Sequence, residues 1–255
     1  NIKCRFIIST TNSDDNAAGD ALAVSTGGTR QYTSAWANNG ATSWECSATS
    51  GNTAILGFTQ TAVAGLSARA YFRVTALPGA TCVIMQMRSD TDSARGAIQM
   101  KTDGKLEVTT QAGVVFTTTT SCSVDTTYRI EWYQEKGADT STGEVGFKLF
   151  LGEATSALDT YTGSAENTGT NDLAAWRMGK ITSIAYTFAI MFDDVAMEDQ
   201  GTAFLGPYLG LSDLTFTTAR KITVDCTGSV GTLTCTQTTG TSVGSIAGPT
   251  SSVFT

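Results

Sequence analysis

Apolar and polar residues alternate with a period of two through most of this chain. Between Leu66 and Leu77, Ala70, Phe72, Val74 and Ala76 share one side, and Arg69, Tyr71, Arg73 and Thr75 share the other. From Thr127 to Gln134, Tyr128, Ile130 and Trp132 alternate with Arg129, Glu131 and Tyr133. Val145, Phe147, Leu149 and Leu151 repeat the pattern. Successive side chains of a strand point to opposite faces, so such runs predict strands with one face buried. The clearest local signal is RGAIQMKTDGKLEVTT, Arg95 to Thr110. Ile98 and Met100 precede Asp103-Gly104, and Leu106 and Val108 follow it. Asp-Gly between alternating runs predicts a hairpin closed by a tight type I′ turn, because Gly tolerates a positive φ.

Further strands are expected at Lys3–Ser9, Arg30–Trp36, Ser43–Ser47, Thr53–Thr59, Cys82–Arg88 and Val114–Thr119, with Asn39-Gly40 and Pro78-Gly79 as turns. Thr182–Ala196 reads as the longest strand, with Ile184, Tyr186, Phe188, Ile190 and Phe192 on one side. Thr11 to Gly28 reads as a long polar loop, and Ala157–Arg177 as irregular with a short helical turn near Asp172–Trp176. No segment sustains a helical period. The fold class expected is all-β: an antiparallel two-sheet sandwich, or jelly roll, over residues 1–208. Residues 209–255 turn Thr-, Ser- and Gly-rich. They are expected to form an appended β segment or the start of a further small β domain. The alternative is that they wrap the sandwich as edge strands.

Composition narrows function mainly by exclusion. The chain has 255 residues, only 15% of them charged, with a net charge of −7. Its basic residues are scattered, which argues against nucleic acid as a partner, since phosphate binding needs clustered Lys and Arg. No stretch of 18 apolar residues occurs, so no membrane insertion is expected. The first residue is Asn, so residues before it are expected, and no secretory leader is visible. Histidine is absent, which removes Ser-His-Asp and Cys-His nucleophilic sites from this chain. The six cysteines form no CxxC pair. Cys226 and Cys235 flank TGSVGTLT and are candidates to face each other across a hairpin, with burial as small apolar residues the alternative.

Two sets of residues carry candidate chemistry. Asp14, Asp15 and Asp20, with Asn12 and Asn16 beside them, are candidate calcium ligands, because calcium takes several loop oxygens. A solvated polar loop is the competing reading. Trp36, Trp44, Tyr133, Tyr161 and Trp176 are candidate glycan or partner contacts, being aromatic and near predicted loops or polar faces, against the alternative of core packing. Asp193-Asp194 and Glu198-Asp199 are the nearest acidic pairs. Adjacent strand residues point apart, so neither pair converges unless a bulge re-aims one member.

The order of YFRV (Tyr71–Val74), VIMQMR, GAIQMKTDGKLEV, TTYRIEWYQ (Thr126–Gln134), GEVGFKLFLGE and FAIMFDDVAMED (Phe188–Asp199) resembles the concanavalin A-like lectin/glucanase fold, in particular its laminin-G-like branch. Gly152-Glu153 stands where that family often has Asp-Gly. The resemblance covers about residues 30–208 and implies a sandwich; calcium at a loop edge is common in the branch. The glucanase pattern E-x-D-x-x-E is absent, so no enzymatic activity is expected. The Asp-Asp strand leading to GTAFLGPY is similar to jelly-roll domains of bacteriophage virion proteins. The resemblance therefore implies a structural or attachment protein of the virion, on the tail or capsid surface. It would pack against other virion proteins as a homo-oligomer such as a trimer, with cell-surface glycan as a further contact. The alternative is a secreted carbohydrate-binding domain, which six cysteines would suit.

Overall fold

The computed structural model describes residues 22–23, 27–199 and 201–208, and, as strand backbone, 222–224, 232–235, 244–247 and 252–254. The strands run in chain order as β1 (Leu22–Ala23), β2 (Thr29–Thr33), β3 (Ser43–Ala48), β4 (Ala54–Val63), β5 (Gly65–Val74), β6 (Cys82–Ser89), β7 (Ala94–Met100), β8 (Leu106–Thr110), β9 (Gly113–Thr117), β10 (Tyr128–Glu135), β11 (Gly143–Leu151), β12 (Asp159–Glu166), β13 (Leu173–Lys180) and β14 (Phe188–Glu198). One seven-stranded antiparallel sheet has the order β1-β4-β13-β6-β7-β8-β9. The other has the order β12-β11-β10-β5-β14-β3-β2. No helix occurs among the described residues.

The two sheets pack through the apolar positions of the alternation. Phe72 and Val74 of β5, Ile130 and Trp132 of β10, Phe147 and Leu149 of β11, and Ile190 and Phe192 of β14 meet Ile84, Met87, Ile98, Val108, Trp176 and Met178 from the facing sheet. Tilted rings run from Tyr32 to Trp44 to Phe58 to Trp176, with centroids 5.8–6.1 Å apart. At the other side of the sandwich Tyr161 of β12 stacks on Phe116 of β9 at 5.2 Å and closes the gap between two edge strands. Burial of these side chains is the main favourable term for the fold.

The Asp103-Gly104 hairpin forms as expected, with Met100 opposite Leu106, but its turn differs. Gly104 has φ +81 and Asp103 has no positive φ. Lys101 N–H donates to Lys105 C=O, and Gly104 N–H to Lys101 C=O. This is a type I turn followed by a left-handed glycine, one of the longer hairpin closures. Gly104 is also held by Cys122, whose N–H donates to its carbonyl at 2.8 Å.

Two expectations are corrected. Ala157–Arg177 is not irregular: it contains β12 and β13, and β13 is an inner strand between β4 and β6. Its LAAWRMGK sequence lacks the β-branched residues that mark strands, and pairing on both sides supplies what propensity does not. The long strand expected from Thr182 starts only at Phe188, and Tyr186 is exposed.

Cys46, Cys82 and Cys122 are buried and free, and burial pushes their thiols up to about 12, 11 and 12. The chain divides into two compact units, Asn1–Pro207 and Tyr208–Thr255. In the second, β15 (Ile222–Val224) pairs with β18 (Ser252–Phe254), and β16 (Thr232–Cys235) with β17 (Gly244–Ala247). Cys235 lies opposite Gly244 in that pairing. Cys226, Lys3–Ser9 and the Asp14, Asp15 and Asp20 loop lie outside the described residues.

Candidate functional site

The outward positions of β5, β10, β11 and β14 carry a group of charged and aromatic residues. A sheet in a sandwich needs to bury only one face, yet on the outer side of this one Tyr71, Arg129, Glu131 and Asp193 are 0%, 1%, 2% and 4% exposed. They are covered by three short segments: 36–39 after β2, 152–154 between β11 and β12, and 201–207 after β14.

Arg129 is the centre of the group. Its Nε bonds Glu131 at 2.9 Å. Its two terminal nitrogens donate to the carbonyls of Gly152 at 2.9 Å and Ala154 at 3.0 Å. The guanidinium lies 4.0 Å from the Phe150 ring centroid. This forked hold on two carbonyls fixes the turn that carries Glu153. Gly152 takes φ +48 there, and its N–H donates to Thr127 C=O. Glu153 is then held from both sides: Tyr71 hydroxyl donates to Oε2 at 2.7 Å and Asn38 Nδ2 to Oε1 at 3.0 Å. Half of the Glu153 side chain stays open to solvent.

Asp193 and Asp194 complete the group through a bulge. Asp193 pairs with Tyr71 and Ala196 with Arg69, so β14 carries one residue more than β5 across this stretch. Asp194 takes φ +46. Without the extra residue Asp194 would face the core; with it, both carboxylates serve the same loop. Asp193 Oδ2 accepts the N–H groups of Asn38 at 2.7 Å and Asn39 at 3.1 Å. Asp194 Oδ2 accepts from the side-chain amides of Asn38 at 2.8 Å and Asn39 at 2.6 Å. Burial, and then Asp194 beside it, push Asp193 up to about 6. Burial also raises Asp194. The pair can therefore hold a proton in mildly acidic solution, where ordinary carboxylates have lost theirs.

Residues 201–207 cross the same face. Arg69 Nη1 donates to the carbonyls of Gly206 at 3.2 Å and Pro207 at 3.0 Å, and Gly206 N–H donates to Glu131 Oε2 at 3.1 Å. Phe204 sits edge-on to Tyr133 with centroids 4.9 Å apart, and Lys148 Nζ lies 4.2 Å from its ring centroid.

The five aromatic candidates separate by position. Trp36 and Tyr133 lie at this outer face, but both are covered, at 8% and 7% exposure, so neither presents an open ring to solvent. Trp36 packs with Tyr71 and Met191, and its indole N–H donates to Thr127 Oγ1. Tyr161 stacks in the sandwich edge, with its hydroxyl donating to Glu166; burial and that carboxylate push the phenol up to about 12. Trp44 and Trp176 are corrected: both lie between the sheets, at 5% and 0% exposure, and present no ring to solvent. Their strands face the core at those positions. Among the described residues no cluster of three or more His, Cys, Asp or Glu side chains is arranged to hold a metal ion. The reasoning from sequence missed Arg69, Arg129, Glu131 and Glu153. Their signal was present: charged residues repeat on the outward side of adjacent strands, which reads as solvated face until the covering loops are known.

No family model and no curated protein matches the sequence. Solved structures do. "Cellulose induced protein, Cip1" is similar over 73% of this chain and 96% of that one, at 14% identity and a TM-score of 0.54. An alginate lyase from Pseudomonas aeruginosa is similar over 66% and 86%, at 9% identity and 0.47. A botulinum neurotoxin type C structure, described as interacting with two ganglioside molecules, is similar over 72% of this chain and 44% of that one, at 11% and 0.48. Alginate lyases recur among the similar structures, so the expectation that the chain is not an enzyme is withdrawn: the architecture is one that enzymes use. At these identities the likeness shows the fold alone. The fold is a jelly-roll β sandwich, as the order of strands in the sequence implied.

Proposed function

We propose that the chain is a glycan-recognition module, and that the glycan lies along the outer face of the β5–β10–β14 sheet, from the rim formed by Asn38 and Glu153 to the stretch of Arg69, Glu131 and Tyr133. One observation carries this reading: a hydrogen-bonded lattice of charged side chains is buried on the side of the sheet that the core does not need. Burying charges this way is costly and adds little stability. Fixed donors and acceptors next to flat rings are what a sugar requires, since hydroxyls need directional partners and the C–H face of a pyranose packs on an aromatic surface. Half-open Glu153 supplies the first kind of contact, and the ring of Tyr133, 7% exposed and packed against Phe204, supplies the second once Phe204 moves aside.

The test is an array of neutral and uronic-acid oligosaccharides probed with the full chain, with released sugar measured alongside. Binding is expected, weakened about tenfold or more by Glu153→Gln or Asn38→Ala, as befits loss of a hydrogen bond to a charged group. Asp103→Asn, on the remote hairpin, should leave it unchanged. No binding at millimolar sugar, or binding indifferent to Glu153→Gln, would overturn the reading.

The setting we propose is a bacteriophage virion surface, with virion proteins as neighbours and self-association; it rests on the low charge and the Thr-, Ser-, Ala- and Gly-rich style of the chain. Detection of the chain in purified particles would test it against the secreted alternative.

A further inference from the structure

We infer that residues 201–207 act as an intramolecular strap, occupying the surface where the glycan would bind and yielding it on displacement; this rests on the glycan reading above. None of residues 201–208 belongs to a strand. The strap's described bonds to the sheet are made to side chains: Ser67 Oγ to Gly201 C=O at 3.1 Å, Arg69 to Gly206 C=O and Pro207 C=O, and Glu131 to Gly206 N–H. A peptide laid on a sheet face without a backbone ladder is held only as tightly as those side-chain contacts allow, which places it among the segments that open first.

The chemistry the strap satisfies is that of an acidic pyranose. Arg69 Nη1 receives two oxygens, as it would from a carboxylate or adjacent hydroxyls. Glu131 receives one donor, as it would from a hydroxyl. Tyr133 meets the Phe204 ring edge-on and Lys148 lies over its face, at positions where a sugar would place its C–H groups. Arg69 and Lys148 carry the positive charge that a uronic acid would select, with Glu131 and Asp194 beside Arg69 offsetting part of it. The ligand class assigned is therefore a uronic-acid oligosaccharide, and the strap competes with it for Arg69, Glu131 and Tyr133. Apparent affinity is reduced by the fraction of molecules with the strap closed.

The experiment measures binding of a uronic-acid tetrasaccharide and a neutral glucan tetrasaccharide to the full chain by calorimetry. It compares wild type with Phe204→Ala and Ser67→Ala, each checked for native circular dichroism. Phe204→Ala should bind the acidic sugar on the order of tenfold more tightly, because the ring contacts that hold the strap are gone. Ser67→Ala should shift affinity the same way by less. Hydrogen exchange of the wild type should show the amides of 201–207 exchanging faster with the acidic sugar bound, a readout that stands if either variant fails to fold. Equal binding by wild type and both variants, or exchange at 201–207 unchanged by bound sugar, overturns the strap and leaves the glycan reading intact. No binding by any form overturns both. Preference for the neutral sugar overturns the assigned ligand class.

Discussion

Arg129→Met should be among the most damaging single changes in the sandwich. The guanidinium is 1% exposed and holds Glu131, which is 2% exposed, at 2.9 Å. Removing the cation leaves a buried carboxylate without its charge partner, which costs about 3–5 kcal/mol. The carbonyls of Gly152 and Ala154 lose their donors as well; both sit in a turn that water can reach, so they add little. Met fills much of the same space, and the guanidinium's contact with the Phe150 ring is lost together with the charge. The assay is urea unfolding followed by tryptophan fluorescence. The four tryptophans are Trp36, Trp44, Trp132 and Trp176, so the signal reports the sandwich unit. With a slope of about 2 kcal/mol per molar urea, the midpoint should fall by roughly 2 M. The double variant Arg129→Met, Glu131→Gln should recover about half or more of that, because no charge is left stranded. A midpoint shift below about 0.5 M for the single variant, or no recovery in the double, would refute the claim that this ion pair organises the outer face.

Two further outcomes follow from the same geometry. Asp193 is held near pH 6 in the folded protein and reverts to the usual carboxylate value on unfolding. The native state therefore binds more protons between about pH 4 and 6, and this group's contribution to stability falls as pH rises through that window. Asp193→Asn should remove that fall, seen as a flatter melting temperature from pH 4 to 6 than wild type; an unchanged slope would show that Asp193 titrates normally. Gly96→Ala should cost about 1–3 kcal/mol, since its Cβ would come 2.1 Å from Gln134 Oε1 and 3.1 Å from Thr109 C=O. Gln134→Ala in the same chain should restore most of it in urea unfolding, because the Gln134 amide is fully buried with neither atom hydrogen-bonded and loses no partner. A double variant as unstable as Gly96→Ala would place the clash elsewhere.

The strands built on strict alternation were legible because each needs only to hide one side. Ile98, Met100, Leu106 and Val108 could belong to nothing else once Asp103-Gly104 lay between them. β13 was not legible, since Ala174 and Ala175 weigh toward helix rather than strand, and only its pairing with β4 and β6 overrides that preference. Trp44 and Trp176 looked like surface aromatics because a one-residue choice of parity separates core from rim, and that parity is set by neighbouring strands.

The sequence alone determined the class: period-two patterning without a helical repeat forces an antiparallel β protein, and its apolar sides force two sheets to face each other. The candidate site was decided in three dimensions. Tyr71, Arg129 and Asp193 are far apart in the chain, and with Glu131 they sit on positions that alternation assigns to solvent. Their burial arises because loops 36–39, 152–154 and 201–207 fold over that face, and because one extra residue in β14 turns Asp194 out of the core toward Asn38 and Asn39. A local pattern records which side of a strand a residue takes. It does not record what a distant segment lays on top of it.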